Sequence, residues 1–168
     1  MRTLAILAGA LLASSSAHAA IVINEVASKG DNVACAKEDW VELYNNGASA
    51  VDIQNYKMYD SEGSSDSDAK TFTMSITIAA GDFLLCCKDG SNNQDFTFGI
   101  GGGDKVTLED ASGNILDTTG DLPDVDFEQD PVWFTYAREK NGEGATDGTG
   151  FKVMRLASPW ATNKDMFP

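Results

Sequence analysis

Short apolar runs separated by turn residues dominate the chain from residue 21 to residue 118. Hydrophobic and polar side chains often alternate within these runs, and β-branched and aromatic residues are common. This pattern is typical of strands that pair antiparallel in a sandwich or a barrel. No window carries a sustained helical repeat. The predicted strands are Ile21–Val26, Trp40–Tyr44, Val51–Tyr59, Thr71–Ile78, Phe83–Cys87, Phe96–Ile100, Val106–Glu109 and Ile115–Thr118.

The clearest hairpin joins the last two of these runs. A Ser-Gly-Asn turn at residues 112–114 separates them, which is a favoured composition for a tight connection between antiparallel strands. Alternation along the two strands predicts that Val106, Leu108 and Ile115 point inward.

The sequence changes in kind after Gly120, where acidic and Gly-rich stretches replace the alternating runs. Within this region FTYA (residues 134–137) and FKVMRL (residues 151–156) each predict an edge strand. We interpret residues 120–168 as a peripheral C-terminal extension that packs on the same domain without a second core.

Residues 1–19 carry the pattern of a secretory signal peptide. Arg2 supplies the positive start, Leu4–Ala13 is apolar, and a small-residue cleavage site ends at Ala19. The apolar run is shorter than the roughly 20 residues that span a bilayer. We therefore expect a secreted domain of residues 20–168, cleaved after Ala19, with no integral membrane segment.

Cleavage would also change the chemistry that the protein can perform. His18 is the only histidine, so the 149 residues left after removing 19 from 168 contain none. Ser-His-Asp catalysis, Cys-His catalysis and histidine metal sites are thereby excluded. Loss of Arg2 moves the formal net charge from −14 to −15. A surface this acidic repels phosphate, so we expect no nucleic-acid partner.

Three cysteines remain, namely Cys35, Cys86 and Cys87, in a chain destined for an oxidising compartment. Neighbouring side chains of a strand point to opposite faces, so only one of the adjacent pair can face Cys35. We predict a disulfide between Cys35 and either Cys86 or Cys87. The remaining thiol leaves a disulfide-linked dimer open.

Two glutamates, Glu25 and Glu42, lie inside predicted strands. Strict alternation places Glu25 on the side of Ile21 and Ile23, and Glu42 on an aromatic face of its strand. One hypothesis is a pair of perturbed carboxylates that act as acid and base. The other is that both accept hydrogen bonds inside the fold, as buried polar groups must. We favour the second hypothesis.

An acidic run near residue 124 offers a candidate metal site, because calcium takes oxygen ligands. The run lacks the central glycine and the terminal glutamate of an EF-hand loop. We favour solvated loop charge and expect no cofactor, with calcium as the alternative. The candidate ligands are Asp124, Asp126, Glu128 and Asp130.

Aromatic residues are frequent in the C-terminal region. We assign Trp133 and Phe134 to packing, whereas Trp160 stands in a Pro-flanked tail and is the better candidate for an exposed contact. Such a contact would serve an extracellular protein or a glycan, since aromatic rings can stack on sugars.

The order of several short motifs resembles the lamin-tail domain family. INEV at Ile23–Val26 is followed by DWVELYN at Asp39–Asn45, by IAAGDFL at Ile78–Leu84, and by a Gly-Asp hairpin over Gly103–Asn114. Closing DGTG and Pro-x-x-x-Asn elements extend the similarity, so that it spans Ile21–Asn163. The positions that carry the motifs are Asn24, Glu25, Trp40, Glu42, Asn45, Gly81 and Gly113.

This resemblance implies an all-β fold, an immunoglobulin-like antiparallel β-sandwich. In secreted members the domain is an accessory module, so the resemblance favours a non-catalytic protein that acts by binding an extracellular protein or glycan. Two alternatives stay open. One is a calcium-dependent adhesion or cell-surface module, and the other is a small hydrolase that uses Glu25 and Glu42.

Overall fold

The computed structural model describes residues 20–29, 34–124, 128–129, 132–133, 135–154 and 157–161. The predicted signal peptide, residues 1–19, lies outside these ranges. None of the described residues forms a helix long and apolar enough to cross a membrane.

Thirteen short β-strands follow one another in the part of the chain that the structure describes. Several coincide closely with the apolar runs of the sequence. In chain order they are β1 (Ile21–Ala27), β2 (Trp40–Asn45), β3 (Val51–Asp52), β4 (Lys57–Tyr59), β5 (Lys70–Thr71), β6 (Thr77–Ile78), β7 (Phe83–Cys87), β8 (Thr107–Glu109), β9 (Ile115–Thr118), β10 (Glu128–Gln129), β11 (Val132–Trp133), β12 (Thr135–Arg138) and β13 (Phe151–Met154).

Two antiparallel sheets enclose the core. One has five strands in the order β13-β12-β1-β2-β7, and the other has four in the order β5-β4-β8-β9. Two further pairs, β3-β6 and β10-β11, form small sheets. Ile23 and Leu43 from the first sheet join Met58 and Leu108 from the second in one buried cluster. This arrangement confirms the predicted all-β antiparallel sandwich.

The region after Gly120 adds two strands to the larger sheet, and one of them is an interior strand. Strand β12 pairs with β1 through Glu25↔Ala137 and Val26↔Tyr136, and β13 then forms the edge beyond β12. The prediction that residues 134–137 form an edge strand is therefore wrong, whereas the edge position predicted for residues 151–156 is confirmed by β13. The backbone hydrogen bonds of β1 need a second partner strand, and β12 provides it.

Strand β1 contains a β-bulge between Ile23 and Glu25. Because one extra residue, Asn24, is inserted, the alternation of side chains reverses beyond it. Val26 consequently joins Ile21 and Ile23 in the core, while Glu25 turns to the opposite face. The prediction that Glu25 shares a face with the two isoleucines is wrong for this reason.

Turns divide two of the predicted runs. Val51–Tyr59 breaks after β3, where Asp52 Oδ1 accepts a hydrogen bond from Gln54 N at 3.0 Å and Asn55 has a φ of 65°. Thr71–Ile78 is likewise divided between β5 and β6. At the second break the N–H of Ile76 donates to Asp52 Oδ1 at 3.1 Å, so a side chain again replaces a partner strand.

The predicted strand Phe96–Ile100 is an extended segment outside the sheets. Phe96, Phe98 and Ile100 are buried in the core with alternate spacing, as the sequence pattern indicated. Only Phe96 makes a ladder-like contact, donating its N–H to Cys87 O at 3.1 Å. The alternation of apolar residues therefore predicted which side chains are buried, but it did not predict that this segment lacks a partner strand.

The predicted hairpin is formed by β8 and β9. Val106 and Leu108 are fully buried, as predicted, but Ile115 is 64 % exposed. A bulge between Leu108 and Glu109 shifts the register, so that Leu116 packs against the core instead. The inward assignment of Ile115 is wrong because the shift exchanges the two faces of β9.

Candidate functional site

The face of the five-stranded sheet that points away from the main core carries both predicted glutamates. Glu25 and Glu42 are register partners across β1 and β2, and each is 0 % exposed. The bulge in β1 brings them to the same face, since Val41 and Leu43 of β2 point into the core. The structure thus places two buried carboxyl groups side by side.

Glu42 is held by two donors. The side-chain amide of Asn24, the bulge residue, donates to Glu42 Oε1 at 2.8 Å, and the backbone N–H of Trp160 donates to Oε2. Burial, helped by the neighbouring charge of Glu25 and opposed by the two hydrogen bonds, raises the pKa of Glu42 to about 7.

Glu25 accepts hydrogen bonds from the C-terminal region. Ser158 donates through its backbone N–H at 3.1 Å and through its hydroxyl at 2.8 Å, and the Thr135 hydroxyl donates to Oε1. Both carboxyl groups therefore bind residues 157–161. A substrate has no access to groups that are fully covered in this way, so the geometry favours the structural hypothesis over an acid–base pair.

The remaining motif residues also lie at structural positions. The Asn45 side chain donates to Ser49 O and Ile78 O, each at 2.8 Å, and thereby joins the end of β2 to β6. Gly81 and Gly113 occupy turns with φ of 78° and 85°, conformations that favour glycine.

Trp40 is fully buried in a second, smaller cluster on the outer face of the sheet. Its indole N–H has no hydrogen-bond partner among the described residues. The cluster consists of Ala27, Cys35, Trp40 and Leu85, with Ala34, Cys87 and Ala157 packed against it.

A buried ion pair, Asp117 with Arg138, was not found from the sequence. Arg138 Nη2 lies 2.7 Å from each carboxylate oxygen of Asp117, and its Nη1 donates to backbone carbonyls at residues 143 and 145. Asp117 Oδ2 accepts the N–H of Ile23, while Arg138 Nε donates to Ile23 O. The pair therefore satisfies both backbone groups next to the bulge in β1.

Burial raises the pKa of Asp117, and the guanidinium of Arg138 opposes that rise. The sequence contained one signal for this pair. Arg138 ends an apolar run and precedes a Gly-rich loop in a chain with few arginines. Nothing in the sequence indicated its partner, which lies 21 positions earlier.

The disulfide joins Cys35 to Cys87, across a sequence separation of 52. This resolves the alternative left open by the sequence, because Cys87 shares the outer face with Cys35 and Cys86 points into the core. The Cys86 thiol is fully buried, and burial raises its pKa.

Trp160 lies in a cleft along β7, with 57 % of its surface exposed. Its backbone has a φ of 61°, and its N–H is bonded to Glu42. The buried carboxyl group therefore positions the exposed indole. The cleft measures about 240 Å³ and is lined by Ala34, Phe83, Leu84, Leu85, Cys87, Asn92, Gln94, Asp95 and Trp160.

The predicted calcium ligands fall mostly outside the described structure. Asp124 is described and exposed, but Asp126, Asp130 and the side chain of Glu128 lie outside it. Among the described residues, no group of three or more acidic, cysteine or histidine side chains is arranged to hold a metal ion. Calcium binding at residues 124–130 stays a prediction.

Comparison with known proteins identifies the fold family. A family model named Lamin Tail Domain matches residues 14–121, more than half of the 168-residue chain. A search of curated proteins found no match. The matched range includes β1 to β9, both glutamates and the disulfide, whereas β12, β13 and Trp160 lie beyond it. The chain belongs to the lamin tail domain family, whose immunoglobulin-like fold is typically a non-enzymatic module.

Proposed function

We propose that this chain is a secreted, non-catalytic lamin-tail module that acts by binding an extracellular protein or a glycan. The exposed indole of Trp160 in the cleft along β7 is the observation that carries the proposal. Aromatic side chains that are held rigid and exposed provide large contact areas at low entropic cost. The buried carboxyl group of Glu42 holds the backbone of this residue through a hydrogen bond.

The chemistry elsewhere supports a binding role over a hydrolytic one. The two carboxyl groups of the hydrolase alternative, Glu25 and Glu42, are fully covered. The disulfide between Cys35 and Cys87 fits an oxidising compartment. Cys86 is buried, which disfavours a disulfide-linked dimer through that thiol.

Binding to panels of secreted proteins and immobilised glycans tests the proposal. We expect Trp160→Ala to weaken any specific interaction at least tenfold. Ile115→Ala is the matched control, because Ile115 is a similarly exposed apolar residue on β9, outside the cleft. Equal effects of the two substitutions, or no binding by the unaltered protein, would count against the proposed function.

Secretion is tested separately by exporting the full-length chain and sequencing the N-terminus of the product. We expect Ala20 as the first residue. An uncleaved N-terminus would remove the secretory part of the proposal and leave the binding part intact.

A further inference from the structure

Strand β7 is an edge of the five-stranded sheet, and its hydrogen bonds to β2 define which backbone groups face outward. Asn45 N donates to Asp82 O at 3.0 Å, and Lys88 N donates to Asp39 O at 2.8 Å. The even-numbered residues of β7 therefore direct their N–H and C=O groups toward β2. By the two-residue period of a strand, Phe83, Leu85 and Cys87 direct theirs away from the sheet.

The outward groups of Cys87 are already occupied. Its N–H donates to Asp95 Oδ1 at 2.9 Å, and its carbonyl accepts from Phe96 N at 3.1 Å. The loop after β7 thus covers one end of the edge. Among the described residues, nothing bonds the outward N–H and C=O groups of Phe83 and Leu85. These four groups are an unbonded stretch of the sheet edge that can pair with another strand. Leu85 itself is only 6 % exposed, so a strand would reach its groups through the cleft that Leu85 lines.

The cleft of Trp160 runs along this open edge. Phe83, Leu85 and Cys87 are register partners of Tyr44, Glu42 and Trp40, so their side chains share the outer face of the sheet. Trp160 lies on the same face and is anchored to Glu42. A strand added at this edge could therefore bond to the backbone of Phe83 and Leu85. Every second side chain of the added strand would then pack against apolar side chains on the outer face, including Trp160.

Charge distinguishes the possible occupants of this edge. Among the described residues that line the cleft, Asp95 is the only charged one, and its two oxygens accept hydrogen bonds from the backbone N–H groups of Cys87 and Asn92. The whole chain has a formal net charge of −14. A second copy of this chain would bring equal negative charge to the edge, whereas a basic segment would be attracted to it.

We infer that β7 binds an extended basic peptide segment of a partner protein, which adds antiparallel to the sheet beside Trp160. This inference rests on the proposed binding function and specifies its partner class. Every pairing within the five-stranded sheet is antiparallel, so the added strand continues the existing pattern. In such a pair, the peptide residues opposite Phe83 and Leu85 bond to them and direct their side chains toward Trp160.

An eight-residue fluorescent peptide of alternating lysine and valine is a suitable probe, with binding to the oxidised protein measured by anisotropy. Valine is expected on the Trp160 side, and its N–H therefore faces β7. Methylating the valine backbone nitrogens should weaken binding at least tenfold. Methylating the lysine backbone nitrogens should change it less than threefold, because those N–H groups face away.

Substitutions in β7 test the same backbone pairing by changing the protein instead of the peptide. Phe83→Pro removes an outward N–H at the first residue of an edge strand, a position where proline is tolerated. Phe83→Ala removes the ring but keeps that N–H, and so is the matched control. We expect Phe83→Pro to bind at least fivefold more weakly than Phe83→Ala. A glutamate-valine peptide of the same length should not bind.

Amide hydrogen exchange locates the peptide directly. We expect the amides of Phe83 and Leu85 to become protected when the lysine-valine peptide is added. Binding without this protection, equal effects of the two methylations, or no peptide binding would overturn the inference. If a glycan or a folded protein still binds in a manner that depends on Trp160, the proposed function survives while this inference fails. If nothing binds, both fail.

Discussion

At the scale of single residues, the stability of the fold depends on buried charges that are fully partnered. Asp117 and Arg138 have side chains with no exposure in their ion pair, and together they bond both backbone groups of Ile23. Arg138 also stacks over Phe151, with its guanidinium carbon 4.6 Å from the ring centre. One side chain therefore connects β1, β9, β12 and β13.

Replacing Arg138 should therefore lower the free energy of unfolding strongly. Arg138→Met keeps much of the side-chain volume but leaves the Asp117 carboxylate and Ile23 O without their partner. Breaking a buried pair in this way costs about 3–5 kcal/mol of unfolding free energy. Urea denaturation measures the loss.

Lys140→Met is the control for this substitution. Lys140 forms an exposed pair with Glu143, in which both side chains are 65 % exposed. Exposed pairs contribute roughly 0–1 kcal/mol. A loss for Arg138→Met no larger than that for Lys140→Met would contradict the structural role of the buried pair.

The raised pKa of Glu42 has a defined consequence for stability. Its carboxyl group titrates at about 7 in the fold and has an ordinary value of 4.5, so the folded state binds more protons than the unfolded state between these pH values. The unfolding free energy should therefore fall as pH rises through this window. A shift of this size corresponds to about 3 kcal/mol from Glu42.

The substitution Glu42→Gln separates the contribution of Glu42 to the pH dependence of stability from the contributions of other titratable groups. The amide mimics the protonated carboxyl group and does not titrate. Denaturation midpoints measured between pH 4.5 and pH 8 should decline more steeply for the unaltered protein than for the variant. Parallel curves would show that Glu42 ionises in the fold as readily as in the unfolded chain.

At the scale of elements, small register shifts decide which side chains are buried. The sequence pattern predicted β1, β2, β7 and β9 closely, because hydrophobic alternation reports a half-buried strand. It could not show the bulges at Asn24 and Leu116, since a single inserted residue reverses the alternation without changing the composition. The face of Glu25 and the face of Ile115 were both assigned wrongly for this reason.

The pairing of strands that are far apart in the chain could not be predicted from the sequence either. Strand β12 pairs with β1 across more than a hundred positions, and its own run is short enough to resemble an edge strand. The exposure of Trp160 had a local signal, because this tryptophan follows a proline in a polar tail. Its anchoring by Glu42 had none, since that bond joins residues 118 positions apart.

The register shift in β9 can be tested by substitution. Ile115→Lys should change the unfolding free energy by less than about 0.5 kcal/mol, because the side chain is 64 % exposed. Leu108→Ala, on the partner strand, should cost about 2–5 kcal/mol, because it opens a cavity in the core. If Ile115→Lys were as costly as Leu108→Ala, the original inward assignment would be correct and the bulge wrong.

At the scale of the whole molecule, distant parts of the chain are joined on the outer face of the larger sheet. The disulfide fixes the loop after β1 to the edge strand β7, and residues 157–161 bond to the two buried glutamates beside it. The first and last described segments of the chain thus meet on one face. That face also carries the cleft of Trp160.

The disulfide should therefore contribute strongly to global stability. Closing a loop with a sequence separation of 52 restricts the unfolded chain and contributes about 4 kcal/mol on the chain-entropy account. The double substitution Cys35→Ala and Cys87→Ala should lower the unfolding free energy by about this amount, measured in guanidinium against the oxidised protein.

Alkylation gives an independent check, because the buried Cys86 thiol of the oxidised protein should react only after unfolding. Rapid labelling of one thiol under native conditions, or a double variant as stable as the oxidised protein, would contradict the pairing of Cys35 with Cys87.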